Sequence, residues 1–346
     1  VGQVGSALLQ LLCQRKEALL EDGCDVRVIG VANSKRCLLS PTGIALHRWR
    51  EELARSTQPT NLDALVEAIR RLHLPHLALV DCTASPEVVA AYPRFVSANM
   101  HIVTPNKRAS VLPWKQYQAF LDLLERHHKH FLCDTNVGAG LPILSTVRDL
   151  LASGDRVYKI EGILSGTLSY LFNNYTGAQP FSTLVQEAYH LGYTEPDPRD
   201  DLSGADVARK LLILGRALGL KLDSKDVKFE NLVPAALRRG RFDAAFFGHL
   251  ARYDDRMQRR LQQARSGGAV LRYVASLQGM RAYAGLAEIP GDHPLASTNG
   301  CDNVVMITSA RYAKMPLVVR GPGAGADVTA RGVFADIVRL LHRLPD

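Results

Sequence analysis

The chain has 346 residues, enough for two domains, and with 47% apolar and 22% charged residues it reads as an ordinary globular protein with a real core. Its net charge of +8 points to anionic ligands, but the basic residues are dispersed, as in Arg238-Arg239-Gly240-Arg241 and Arg259-Arg260, without the aromatic interleaving of a nucleic-acid surface. There is no apolar run of about eighteen residues and no signal-peptide pattern, so no membrane partner is expected. Six scattered cysteines lack Cys-x-x-Cys or zinc spacing, which fits reduced thiols and a cytoplasmic location.

The chain opens Val1-Gly2-Gln3-Val4-Gly5-Ser6-Ala7 and runs into a helix predicted over Ser6–Leu20. This is the back of a Gly-x-Gly-x-x-Gly fingerprint, with its first strand and first glycine expected upstream of residue 1. In the full motif the second glycine admits a pyrophosphate, the third allows close helix–strand packing, and the helix N-terminus offers free N–H groups. Val1, Gly2, Val4 and Gly5 are therefore cofactor candidates, although helix packing alone also explains a Gly-x-x-Gly. A strand is predicted over Val26–Ala32, followed by Asn33-Ser34-Lys35-Arg36. No carboxylate stands there for a ribose 2′-hydroxyl. Lys35 and Arg36, beside Asn33, suit a 2′-phosphate and hence NADP over NAD; a solvated basic turn is the alternative.

Helices at Asn61–Leu72, Pro86–Asn99 and Pro113–His128 then alternate with apolar strands at Leu77–Cys82, His101–Thr104 and Phe131–Asp134. Such alternation predicts a Rossmann-like, doubly wound parallel sheet whose strand ends face the ligand. Three loops close these strands. Asp81-Cys82-Thr83-Ala84-Ser85-Pro86 offers Thr83 as a nicotinamide contact or a helix cap. Thr104-Pro105-Asn106-Lys107 offers an ammonium, or a solvated lysine. Asp134-Thr135-Asn136-Val137-Gly138-Ala139-Gly140-Leu141-Pro142 frees carbonyls for a hard cation, or is simply a tight turn.

After a helix at Leu141–Ala152 the pattern turns α+β. Strands are predicted at Val157–Ser165, Val270–Leu277, Arg281–Glu288, Val304–Ser309 and Leu317–Arg320. Helices are predicted at Ser182–Leu191, Ala205–Leu218, Asp243–Ala264 and Val328–Leu344, the last following the Gly321-Pro322-Gly323-Ala324-Gly325 turn. We expect a nucleotide-binding domain over 1–140, completed by 321–346, and a substrate, catalytic and dimerisation domain over 141–320.

Residues 191–210 carry most of the functional signal. Glu195, Asp197, Asp200, Asp201 and Asp206 fall within twelve residues and precede Lys210. Pro196 and Pro198 predict a stiff, non-helical loop up to about Ser203. Asp206 and Lys210, four apart, share one face of the following helix. Read alone, this is a solvated acidic loop with a weak surface ion pair; it would also hold an amine and move a proton.

The order of these motifs resembles homoserine dehydrogenase, and more closely the C-terminal dehydrogenase half of bifunctional aspartokinase–homoserine dehydrogenases. The similarity rests on Gly192–Lys210, Thr104–Lys107, Asn136–Pro142, Ser165–Thr167 and Gly321–Asp336. It implies reversible NAD(P)-dependent hydride transfer between L-homoserine and L-aspartate 4-semialdehyde, in threonine and methionine biosynthesis, by a homo-oligomeric enzyme. By resemblance Lys210 is the proton donor, Asp206 its partner, and Glu195 the ligand of the substrate amine. Asp201 and Lys107 are also active-site positions, and Gly166, Thr167 and Tyr193 lie near the substrate. Thr83 and Gly325 would contact the cofactor. A monovalent cation such as sodium would use Asp134 and the carbonyls of Val137, Ala139 and Leu141, with Asp134 shorter than the Glu of some members. A kinase half is expected upstream, and a chain that starts here is expected to hold cofactor weakly. The rival readings are a non-catalytic scaffold with the same fold and another hydroxy-acid or semialdehyde dehydrogenase.

Overall fold

A computed structural model of the chain describes residues 1–344. Its contacts divide into one unit of Val1–Gly140 with Ala324–Asp346 and a second of Leu141–Gly323. In chain order the first unit contains α1 (Gln3–Glu21), β1 (Gly30–Ala32), β2 (Cys37–Leu39), α2 (Trp49–Arg55), α3 (Leu62–Arg70), β3 (Leu77–Val80) and α4 (Pro86–Ser97). β4 (Met100–Val103), α5 (Lys107–Ser110), α6 (Trp114–Arg126) and β5 (Phe131–Leu132) follow, and the C-terminal helix Ala326–Leu341 completes the unit.

β3, β4 and β5 form a parallel sheet in that order. β4 is buried along its length, and its side chains divide between two cores. Met100 and Ile102 pack with Val89, Phe95 and Phe120, whereas Val103 joins Leu132, Leu8, Leu12 and Val333 of the C-terminal helix. Both faces of the sheet are thus covered, which is why these strands read as apolar runs without alternation. α4 begins where the sequence marks it: Ser85 caps Glu87 and Val88 N–H, and Pro86 occupies the first turn.

The Val26–Ala32 strand departs from expectation. Only Gly30–Ala32 is extended, and it pairs antiparallel with Cys37–Leu39 outside the parallel sheet. The cause is local turn chemistry. Asn33 Oδ1 accepts the Lys35 and Arg36 N–H groups at 2.8 and 2.9 Å, and Asn33 N–H bonds Arg36 carbonyl at 3.0 Å, closing a hairpin with no glycine to announce it.

The second unit contains α7 (Ile143–Ala152), β6 (Val157–Ile163), α8 (Gly166–Asn174), α9 (Phe181–His190), α10 (Pro198–Leu202), α11 (Ala205–Ala217) and β7 (Val227–Phe229). After these come α12 (Ala245–Leu250), α13 (Asp254–Ser266), β8 (Ala269–Gln278), β9 (Arg281–Pro290), β10 (Asp302–Ser309) and β11 (Leu317–Pro322). Its mixed sheet runs β11-β10-β6-β8-β9-β7, antiparallel except for β7 beside β9. The α/β and α+β classes expected of the two halves are both present.

Three expectations fail locally. The acidic stretch is not a non-helical loop, because Pro198–Leu202 is a short helix. Pro198 sits at its first position, where the missing N–H costs nothing, and Asp197 caps Arg199 N–H. The single helix over Asp243–Ala264 is two, α12 and α13, joined by a 3₁₀ turn at Ala251–Tyr253. The strand expected over Val157–Ser165 ends at Ile163, and Gly166 and Thr167 open α8 with Ser165 as its cap on Leu168 N–H. Among the described residues no helix is long and apolar enough to cross a membrane.

Candidate active site

The second unit holds the expected substrate residues in two groups, Asp206 with Lys210 on α11 and Thr167, Tyr193 and Glu195 around Asp201. Lys210 is buried, and its Nζ lies 2.6 Å from Leu164 carbonyl and 3.0 Å from Asp206 Oδ2, one turn earlier. The carbonyl belongs to the end of β6, so the ammonium ties helix to strand. Asp206 also reaches Arg209 at 3.4 Å. The helix that carries the pair starts at a fixed joint. Gly204 has φ +73°, and any Cβ there would overlap the Tyr273 hydroxyl, which itself donates to Glu230 carbonyl at 2.6 Å. Only glycine meets both conditions.

Asp201 is the hub of the neighbouring loop. Its Oδ1 accepts Thr167 hydroxyl at 2.9 Å and its Oδ2 accepts Glu195 N–H at 2.8 Å. Thr167 Oγ1 also lies 2.7 Å from Tyr193 carbonyl, so one half-buried carboxylate fixes Thr167, Tyr193 and Glu195 together. Burial pushes its pKa up, the charges of Glu195 and Asp200 push the same way, and the two hydrogen bonds oppose them. The Glu195 side chain remains exposed. Tyr193 stacks on Tyr170 with ring centroids 4.4 Å apart. Asp197 serves the loop instead: Arg199 binds its carboxylate at 2.6 Å and holds its pKa down.

In the first unit the loops closing β3 and β4 are joined by Asp81, which the sequence did not single out. Asp81 is 2% exposed. It accepts Thr83 N–H at 2.8 Å, Tyr92 hydroxyl at 2.6 Å and Asn106 Nδ2 at 3.0 Å. Asn106 caps α5, which makes Lys107 the first residue of a short helix rather than of a plain loop. Thr83 is exposed and Lys107 half-buried. The only advance signal for the Asp81 hub was a polar residue closing an apolar strand.

α1 begins at Gly2 with no side-chain cap and no acidic residue in its first turn, and a Cβ at Gly2 would meet nothing within 4 Å. Its N–H groups are open to an anion, and Val1, Val4 and Gly5 surround them in sequence. Lys35 and Arg36 stand exposed on the hairpin turn and line an open recess of about 540 Å³ with Arg55, Ser56 and Thr57. Arg36 also donates to Ala54 carbonyl. Arg55 was missed because it is brought there by α2, far along the chain from the turn. Gly325, exposed at φ +116°, precedes the C-terminal helix.

Asp134 is 4% exposed and lies 3.1 Å from Arg339 on the C-terminal helix, while its N–H donates to Asp336 Oδ2 at 2.9 Å. Burial pushes the Asp336 carboxyl up, and Arg339, 2.9 Å away, opposes that shift. Val137 and Ala139 are buried, Ala139 in a left-handed conformation at φ +52°. Leu141 carbonyl already accepts Ile143 N–H at 2.8 Å. No cluster of three or more metal-ligating side chains occurs among the described residues.

A family model for the NAD-binding domain of homoserine dehydrogenase matches residues 1–134, and one for homoserine dehydrogenase matches 142–338. The chain is 43% identical over 347 residues to bifunctional aspartokinase/homoserine dehydrogenase 1, chloroplastic, of Arabidopsis thaliana, a match that covers 99% of the chain and 38% of that relative. The Zea mays protein of the same name is 44% identical, with 98% and 37% covered. The chain therefore spans less than two fifths of the length of these curated relatives. A crystal structure of a Candida auris protein of unknown function superposes with a TM-score of 0.92 at 36% identity, covering 100% of this chain and 97% of that one. Two family models that together take in nearly the whole chain place it in the homoserine dehydrogenase family.

Proposed function

We propose that the chain catalyses the reversible NADP-dependent interconversion of L-homoserine and L-aspartate 4-semialdehyde. The observation that carries this reading is the buried Lys210 ammonium, held at 2.6 Å by Leu164 carbonyl and at 3.0 Å by Asp206, beside the Thr167–Asp201–Glu195 network. The first unit fits a dinucleotide: α1 offers uncapped N–H groups to a pyrophosphate next to an open Gly2, and Lys35, Arg36 and Arg55 supply positive charge for a 2′-phosphate. Asn33 shapes that turn, while Thr83, Lys107 and Gly325 are the other contacts we assign to the cofactor. When bound, the dinucleotide supplies or accepts the hydride.

The residues of the chain do the rest. The substrate carries an ammonium, which the exposed Glu195 carboxylate is placed to bind, with Asp201 fixing the loop that presents it. In the reducing direction charge develops on the aldehyde oxygen, and the Lys210 ammonium stabilises it and donates the proton. In the oxidising direction Lys210 acts as the neutral amine, its proton first lost to solvent, and takes the hydroxyl proton. Asp206 orients the ammonium. Gly166, the first residue of α8, is a further substrate contact we assign.

We assign a monovalent cation to the carbonyls of Val137, Ala139 and Leu141, with the Asp134 carboxylate shared with Arg339; a sodium-for-choline exchange that leaves thermal stability unchanged would remove it. Self-association is supported by Tyr283 and Phe229, 49% and 43% exposed, and is read by light scattering. An aspartokinase segment preceding this chain is proposed from the names of its relatives. The primary test is homoserine oxidation followed through NADPH absorbance, alongside other hydroxy acids. Turnover of those acids, with none of homoserine, would overturn the assignment.

A further inference from the structure

Asn303, the second residue of β10, is fully buried, and neither its Nδ2 nor its Oδ1 has a hydrogen-bond partner. A buried amide left unmatched at both ends is costly, and folds keep such groups where something other than stability selects them. Its surroundings say what that is. Asn303 pairs in register with Gly321 of β11, and a Cβ built on Gly323 would overlap the carboxamide, so the backbone of the glycine turn is pressed against it. On the other side β10 pairs with β6, Val304 standing opposite Ile163. The next residue of β6 is Leu164, whose carbonyl holds Lys210. The unmatched amide thus stands in β10, which lies between β11, the strand that ends in the glycine turn, and β6, whose end leads to the carbonyl that holds Lys210.

We propose that Asn303 is a positioning residue for the Gly321–Gly323 turn, its carboxamide pairing with the Gly323 peptide when a dinucleotide is bound. This rests on the cofactor reading given above. Nucleotide binding draws the Gly323 peptide into hydrogen-bond geometry and matches the amide. The same movement bears on β10 and so on the Leu164 carbonyl. Asn303 touches no reacting atom, and its effect passes through the turn.

Two measurements on the full chain test this. Asn303→Leu has nearly the same volume and no polar atoms. The nucleotide-free variant should melt at or above the wild-type temperature, the rise in melting temperature given by saturating NADP should shrink, and the KM for NADP should increase by roughly tenfold, the worth of one hydrogen bond, with kcat changed less than twofold. In the wild type, exchange of the Gly323 amide hydrogen should slow on adding NADP. A nucleotide-free variant that melts well below wild type, or fails to fold, would show that the amide is already satisfied and merely structural. An unchanged KM, or Gly323 exchange indifferent to NADP, would also overturn the proposal. A wild type whose melting temperature ignores NADP refutes the cofactor reading itself, which separates the two failures.

Discussion

Replacing Lys210 with Met keeps most of the stem and removes the ammonium. The group is 8% exposed and lies 2.6 Å from Leu164 carbonyl and 3.0 Å from Asp206. Losing a positioned proton donor lowers turnover by about 10²–10⁴-fold, or roughly 3–5 kcal/mol of barrier. The structural cost is smaller. Leu164 carbonyl loses its donor, worth about 1–3 kcal/mol, while Asp206, 37% exposed on its side chain, is rehydrated at a cost below about 1 kcal/mol. The variant should therefore fold, melt a few degrees lower, and bind nucleotide as before. Steady-state kcat at saturating homoserine and NADP, with nucleotide affinity from fluorescence titration, separates the two effects. A correctly folded variant that loses less than tenfold in kcat would refute the role of Lys210 as proton donor.

Asp201→Asn leaves one of the Glu195 and Thr167 contacts facing an NH₂ group, and should raise the KM for homoserine about tenfold or more with little change in kcat. Because burial raises the Asp201 pKa, its charged form disappears at a higher pH than for an ordinary carboxylate; kcat/KM of the wild type should fall on acidification through that range, and the variant should lack this limb. His101 is buried, and burial together with the charges of Lys129, His130 and His76 lowers its pKa to about 4, while the unfolded value is near 6.5. Its contribution is complete above pH 6.5 and is lost as pH falls towards 4, by about 3 kcal/mol at most; urea unfolding at several pH values should show this loss, and His101→Phe should flatten it. Individual Ala substitutions of Lys35, Arg36 and Arg55 should each raise the KM for NADPH several-fold and leave that for NADH unchanged. An unaltered NADPH/NADH ratio would take them out of the 2′-phosphate site.

What could be read from the sequence was local or periodic. Ser85-Pro86 announced α4, and the four-residue spacing of Asp206 and Lys210 placed the pair on one helix face, where they meet. The apolar run of β4 announced a strand covered on both sides. What escaped depended on partners far along the chain. Asp81 joins Tyr92 and Asn106, and Asp134 meets Arg339 some two hundred residues later, a pairing no spacing rule reveals. Arg55 entered the basic recess only because α2 carries it there. The prolines misled in the opposite sense: Pro198 breaks a helix from within but starts one well, and Asp197 was there to cap it.

The joint at Gly204 bears on how this protein can be altered. With the Tyr273 hydroxyl closing the space where a side chain would go, Gly204 has to be held constant in any mutant library, since a side chain there would displace Tyr273 or the start of α11. Tyr193 and Glu195 are exposed, their backbones held by Thr167 and Asp201 and the Tyr193 ring stacked on Tyr170. The path of the loop that carries them is thus set by its neighbours and not by the two side chains it presents to solvent.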